Sequence, residues 1–335
     1  MLPALLLLAV THFEAHTVAD DLRGGYQVVV ADMNHDGKPD LIALASGMDE
    51  LVWYENPTWT RHVLATGLKR MINCAVIGED VVVAHGFDND ASKSPGIVSV
   101  IHRDGTVQEI DRIPTAHRLR VAVIDGKQVV VMAPLTGPAA RPPDYKDHVP
   151  LVYYRPGEWK RETIDAANEG VQHGIFIDGH SILTASFSGI HRYERHGKIW
   201  KRTEISKGDS APCPKCGTSD VAVSREHWIA AVEPWHGNQV VVYRNGKREM
   251  IDDTIVDGHS IAVADLDGAG KDAIIVAQRG APGRVLVYRG KERTIVDQGI
   301  TAASCAAADL DGDGRIDIAC IGGASHNLKI YWNRK

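Results

Sequence analysis

The sequence predicts an all-β fold, a seven-bladed β-propeller of four-stranded antiparallel blades. Three observations predict it: an internal repeat, the spacing of that repeat, and a strand displaced to the N-terminus. The repeat is plainest in residues 28–54, 261–288 and 306–332, where VVVADMNHDGKPDLIALA is matched by IAVADLDGAGKDAIIVA and AAADLDGDGRIDIACIG. Each segment reads as a short apolar strand, an acidic glycine-containing loop, a second apolar strand, a polar turn and a third strand ending in an aromatic (LVWYEN, VLVYRG, LKIYWN). Residues 72–77, 119–124, 173–177 and 220–223 continue the beat as further first strands without the acidic loop. Third strands follow at 97–102, 151–154, 190–193 and 240–243, and fourth strands at 61–63, 160–164, 201–205 and 293–295. The unit length is about 46 residues, the size of a four-stranded blade, and no helix-period stretch of useful length interrupts it. Residues 11–18 resemble a fourth strand yet precede the first unit, while the last unit stops after its third strand near Trp332. The N-terminal strand is therefore expected to complete the last blade and leave no open edge.

Composition supports one large β domain over residues 11–335. Hydrophobic residues make up 44% and charged residues 24%, enough apolar side chain for a sizeable core, and 32 glycines suit a fold of many tight turns. A net charge of -6 and the lack of an aromatic-interleaved basic stripe argue against nucleic acid and anionic membrane as partners. Residues 1–10 form an apolar leader, too short to span a bilayer, that reads as a signal remnant and suggests a secreted or periplasmic protein. Five cysteines are too few and too scattered for a disulfide framework. Cys213 and Cys216 have the spacing of a local disulfide or of half a zinc site, whereas Cys74, Cys305 and Cys320 lie in apolar strand patterns and read as core thiols.

The acidic loops carry the first chemistry. Asp32, Asn34, Asp36 and Asp40, and equally Asp309, Asp311, Asp313 and Asp317, alternate around a glycine with the spacing of oxygen ligands for a hard cation. A third loop, with Asp265, Asp267 and Asp272, has Ala269 where the middle ligand should stand and reads as a weaker site or a relic. These segments resemble the repeats of FG-GAP, or VCBS-like, integrin-type propellers. The resemblance implies structural Ca2+ in the loops.

The opposite end of the ring gathers polar residues from separate blades. His173, His236 and His259 come from blades four, five and six and suit a Zn2+ or other divalent transition metal ion. His85 and His148 are candidates for a general base, Tyr145 for a proton donor, and Arg118 and Arg279 for clamps on an oxyanion or carboxylate. Arg141, Glu233, Trp235 and His117 are candidates for binding the substrate, and loop 135–150 for a wall or lid. A base beside a positive centre fits proton abstraction and β-elimination on a sugar. No G-x-S-x-G elbow or dinucleotide fingerprint offers a competing chemistry. The run VEPWHGN at 232–238, with GHS at 258–260 and QRG at 278–280, is similar to motifs in the propeller domain of aldos-2-ulose dehydratase and related sugar lyases. That resemblance implies a metal near the mouth and elimination of water or a substituent from a keto-sugar or uronate-containing glycan. A non-catalytic glycan- or protein-binding propeller stabilised by calcium, or a glycoside hydrolase using Glu233 with Asp144 or Asp257, remains the alternative.

Overall fold

The computed structural model describes residues 12–334, so the apolar leader at 1–10 and Thr11 lie outside the described residues. Twenty-eight strands pair into seven four-stranded antiparallel sheets, and among the described residues there is no helix. Among the described residues no helix is therefore long and apolar enough to cross a membrane. Six blades are continuous in sequence. The seventh joins Ala302–Ala308, Asp317–Gly322 and Leu328–Arg334 to His12–Ala19, which pairs antiparallel with Leu328–Arg334. The displaced strand closes the ring as the sequence predicts.

The second and third strands of each blade are buried on both faces because blades stack face to face; Asp40–Ala45, for example, is buried at every position. This explains the unbroken apolar runs. The aromatic that ends the third strand locks neighbouring blades. Tyr154, Tyr193, Tyr288 and Tyr331 are fully buried and donate their hydroxyls to Asp111, Asp165, Asp252 and Asp297, each on the fourth strand of the preceding blade, at 2.7 to 2.8 Å. A buried phenol usually finds such a partner; Tyr54, the equivalent in blade one, is buried with its hydroxyl unpartnered.

The acidic loops have two layers. Asp40 and Asp317 turn inward: Asp40 accepts from Met33 N and Asn56 N, and Asp317 from Leu310 N and Asn333 N, at 2.8 to 3.0 Å. Burial pushes the Asp317 carboxyl up to about 6. Asn56 and Asn333, just past the third-strand aromatics, donate across the blade boundary to Leu310 O at 2.6 Å and Leu266 O at 2.7 Å. The outer carboxylates Asp32 and Asp309 accept from the N–H groups of Gly37 and Gly314, whose positive φ of 84° and 83° aims those amides back into the loop. In the loop with Asp265 and Asp272 an arginine stands in the ligand field: Arg225 reaches both carboxylates at 3.0 Å, and Arg289 bonds Asp267.

Two cysteine expectations are resolved. Cys213 and Cys216 form a disulfide, which removes the zinc half-site. Cys305 and Cys320 are also joined, contrary to the reading of both as core thiols. They lie directly opposite one another on the first two strands of blade seven, a pairing that strand periodicity alone does not reveal. Cys74 is the one free thiol, buried, its pKa raised by that burial to about 12.

Candidate functional site

The inner strands all begin at one end of the ring, and a recurring irregularity there builds the site. In five blades the ladder skips one residue near the start of the inner strand: Tyr26, His117, His173, His259 and Ala303. Such a bulge re-aims a side chain that regular pleating would send between blades. In blades two and five the inner strand starts one residue later, and Ile72 and Ser219 hold the corresponding place, their N–H groups bonded to Ala84 O and Val232 O. One level of the ring is thus occupied by Tyr, Ile, His, His, Ser, His and Ala. His236 reaches the same point from the loop after the second strand of blade five, with φ of 47°.

His173, His236 and His259 each offer a ring nitrogen, and these three atoms lie within 4.8 Å of one another. His236 Nε2 is 3.2 Å from His173 Nε2. The far nitrogens are anchored: His173 Nδ1 bonds Ser219 O at 2.9 Å and His259 Nδ1 bonds Ala303 O at 2.5 Å, the bulge-level carbonyl of the next blade in both cases. Each Nδ1 must donate to its carbonyl, which leaves each Nε2 with its lone pair toward the centre. His236 Nδ1 faces Asp257 Oδ1 at 3.5 Å and Arg279 Nη2 at 2.9 Å. Burial, reinforced by nearby arginines, holds all three imidazoles well below the usual histidine range, hence in the neutral form that ligates metals. The donor set and its outer anchors fit a divalent transition metal ion. Three contacts must rearrange for an ion to bind: Arg118 Nη2 stands 3.5 Å from His173 Nε2, Tyr26 Oη lies 3.1 Å from His259 Nε2, and Arg279 Nη2 donates to His236 Nδ1, which in the neutral ring puts the proton on His236 Nε2.

Around this cluster, Tyr26 Oη bridges His117 Nε2 at 2.9 Å and His259 Nε2 at 3.1 Å. Burial raises the Tyr26 hydroxyl above the usual tyrosine range and lowers His117 well below the histidine range. His117 Nδ1 is buried without a hydrogen-bond partner, because Arg118 Nε takes the His173 carbonyl at 2.8 Å. Arg279 is held by Asp257 and, with Arg70, Trp235, His117, His173 and His236, lines a cavity of about 630 Å³ open at the mouth. Glycines 24, 25 and 323 with Ala303 leave its far side open.

Several residues expected at the mouth lie elsewhere. His85 is buried in blade two against Ser99 Oγ at 3.0 Å, its pKa lowered by burial to about 4, and it does not line the cavity. His148 is exposed on the third strand of blade three, 3.9 Å from Glu169. Glu233 is sealed inside blade five by Tyr243, Thr218 and Arg248 at 2.6 to 3.1 Å, so it cannot meet substrate or serve hydrolysis as placed. Arg141 bonds carbonyls of its own loop. Tyr145 packs with Leu135, Ala140 and Val171 and meets the Trp235 ring edge-on at 5.7 Å, making loop 135–150 a wall behind Trp235. Tyr26 was not anticipated, although GYQV, AHRL, QHGI and GHSI align it with the three inner-strand histidines.

Comparison with known proteins agrees with the fold. Residues 265–320 match the FG-GAP-like repeat. No curated protein matches the sequence. Among solved structures, virginiamycin B lyase from Staphylococcus aureus superposes with a TM-score of 0.67 at 12% identity, over 96% of this chain and 99% of that one. BBS1N, solved in complex with ARL6DN, superposes with a TM-score of 0.68 at 12% identity, over 97% and 98% of the two chains. A gluconolactonase from Xanthomonas campestris gives 0.53 at 12% identity, over 96% and 90%. At such identities the likeness is one of fold alone. The class is therefore a seven-bladed propeller with FG-GAP-like repeat sequence and a histidine-lined mouth.

Proposed function

We propose that this protein is a carbohydrate lyase or dehydratase acting on a keto-sugar or uronate-containing glycan, with a divalent transition metal ion at His173, His236 and His259. The observation that carries the reading is the convergence of three neutral imidazoles, two with Nδ1 tied to main-chain carbonyls. The ion would supply Lewis-acid stabilisation of charge developing on a carbonyl or carboxylate oxygen. Arg279, steadied by Asp257, is placed to share that negative charge. The base is His117 in place of His85 and His148, since of the three only His117 lines the mouth cavity. It takes the proton beside the carbonyl; the electron pair forms the new double bond as the C–O bond breaks. Tyr26 is the proton donor to the departing oxygen in place of Tyr145. Trp235 offers a face for the sugar ring.

Ca2+ in the loops of Asp32, Asn34, Asp36, Asp40 and of Asp309, Asp311, Asp313, Asp317 belongs to the same proposal; carboxylate oxygens of Asp309, Asp311 and Asp317 lie within 4.8 Å of one another. The Asp265 and Asp272 loop is excluded from it, because Ala269 stands where the middle ligand should be and Arg225 contacts both carboxylates. Two disulfides favour a secreted or periplasmic location.

The test is elemental analysis together with incubation on a panel of keto-sugars and uronate oligosaccharides, followed by the absorbance of the conjugated product. His236→Ala should lose the transition metal and the product together. Full activity in a His236→Ala protein free of that metal refutes the mechanism. Calcium alone, with no elimination on any substrate, returns the protein to the class of binding propellers.

A further inference from the structure

Below the histidine level lies a second chamber of about 440 Å³, lined by all seven inner strands. Most of its wall is apolar. At the third residue past the bulge level the strands present Val29, Ala75, Phe176, Ala262 and Ala306, but blade three presents Arg120. Arg120 is the only cation among the lining residues, and Asp220 is the only acid.

The two do not neutralise each other by contact. Arg120 bonds Leu119 O at 2.8 Å and Asn73 Oδ1 at 3.3 Å through Nη1 alone, and no carboxylate lies within 4.0 Å of its guanidinium. Asp220 is committed to the N–H groups of Val221 at 3.1 Å and Ile261 at 3.2 Å, which stitch blade five to blade six. Directly above, Arg118 is 2% exposed and likewise has no carboxylate within 4.0 Å. The axis thus carries two guanidinium charges against one carboxylate. A buried charge without an opposite partner costs several kcal/mol, which applies to Arg118, while Arg120 is part-buried and faces the chamber. Proximity shows in the titration as well: burial and then the Arg118 charge depress Arg120 to about 10.

We infer that the lower chamber is a binding site for a small monovalent anion, a halide or short carboxylate, held by the free edge of the Arg120 guanidinium in the field of Arg118. The anion balances the axial charge and fastens blade three to the centre of the ring. This site is independent of the proposed reaction and of the mouth arginines Arg70 and Arg279, which already have Asp88 and Asp257 as partners.

The test uses the full chain in methanesulfonate buffer at constant ionic strength, titrated with chloride, bromide or formate while the melting temperature is read. A saturable rise of several degrees is expected for wild type, and loss of that saturable rise in Arg120→Met, whereas Arg70→Ala retains it. The order of half-saturation among the three anions tells halide from carboxylate selectivity. Crystals grown with bromide should show anomalous density in contact with Arg120, a measurement that needs no variant to fold. Bromide at the mouth arginines alone, or nowhere, overturns the inference. So does an anion response of Arg120→Met equal to that of wild type.

Discussion

Replacing Asn333 by alanine tests how the ring is held shut. Asn333 is 1% exposed and sits at the end of the third strand of the closing blade. Its Nδ2 donates to Leu266 O in blade six at 2.7 Å and to Ile316 O in blade seven at 3.0 Å. Alanine removes both donors and leaves two carbonyls short of a partner in a buried setting. A buried polar group so stranded costs about 1–3 kcal/mol, so the pair should cost ~2–4 kcal/mol, less whatever water enters. At roughly 2 °C per kcal/mol for a chain of this length, the melting temperature falls by about 4–8 °C. Asn333→Asp keeps the shape but turns a carboxylate oxygen toward the same two carbonyls, so it should be worse than alanine. Thermal melts at matched calcium measure both. If alanine costs under about 0.5 kcal/mol, or aspartate is milder than alanine, the donated bonds are not what closes the ring.

Two further outcomes follow from burial and from the cysteines. His85 and His191 are pushed down to about 4 by burial, so between that pH and about 6.5 the unfolded chain binds protons that the folded chain does not. Their contribution is fully present above pH 6.5 and is lost as the pH falls toward 4. His85→Gln should flatten that loss by roughly 2 kcal/mol in urea unfolding across the window, and an unchanged pH slope would contradict the assignment. Thiol titration of the unfolded, unreduced chain should read Cys74 alone, and Cys305→Ala with Cys320→Ala should destabilise the fold by about 2–3 kcal/mol. More than one thiol per chain refutes the pairing.

The fold was legible because its determinants are local and repeated. Strand, loop and aromatic recur in register, and the misplaced fourth strand announces its own partner. The acidic loops between first and second strands were legible for the same reason, except that Arg225 comes from blade five, far in sequence from the Asp265 and Asp272 it contacts. The three proposed metal ligands could be placed at one end of the ring because His173 and His259 open inner strands and His236 follows a second strand, and both positions fall at that end. The other site residues fared worse, since which way a loop side chain turns is set by packing. His85 follows its strand into blade two, Glu233 is captured by Tyr243 and Arg248, and Tyr145 is drawn into the apolar cluster behind Trp235. Tyr26 went unnoticed because a tyrosine before an apolar strand looks like core, and only the bulge turns it to the axis.

The bulge level has a consequence for how such a molecule changes. Its seven positions behave as numbered seats around a table, each facing the centre at a height fixed by the ladder. Tyr26, His117, His173 and His259 fill four of them and Ser219, whose Oγ accepts from His236 N, a fifth, while Ile72 and Ala303 are seats with chemically silent side chains at the same height. A single codon at a silent seat brings a new donor to the axis without rerouting the chain or disturbing the tyrosine locks between blades. The chemistry presented at the axis and the integrity of the ring are therefore inherited through different residues.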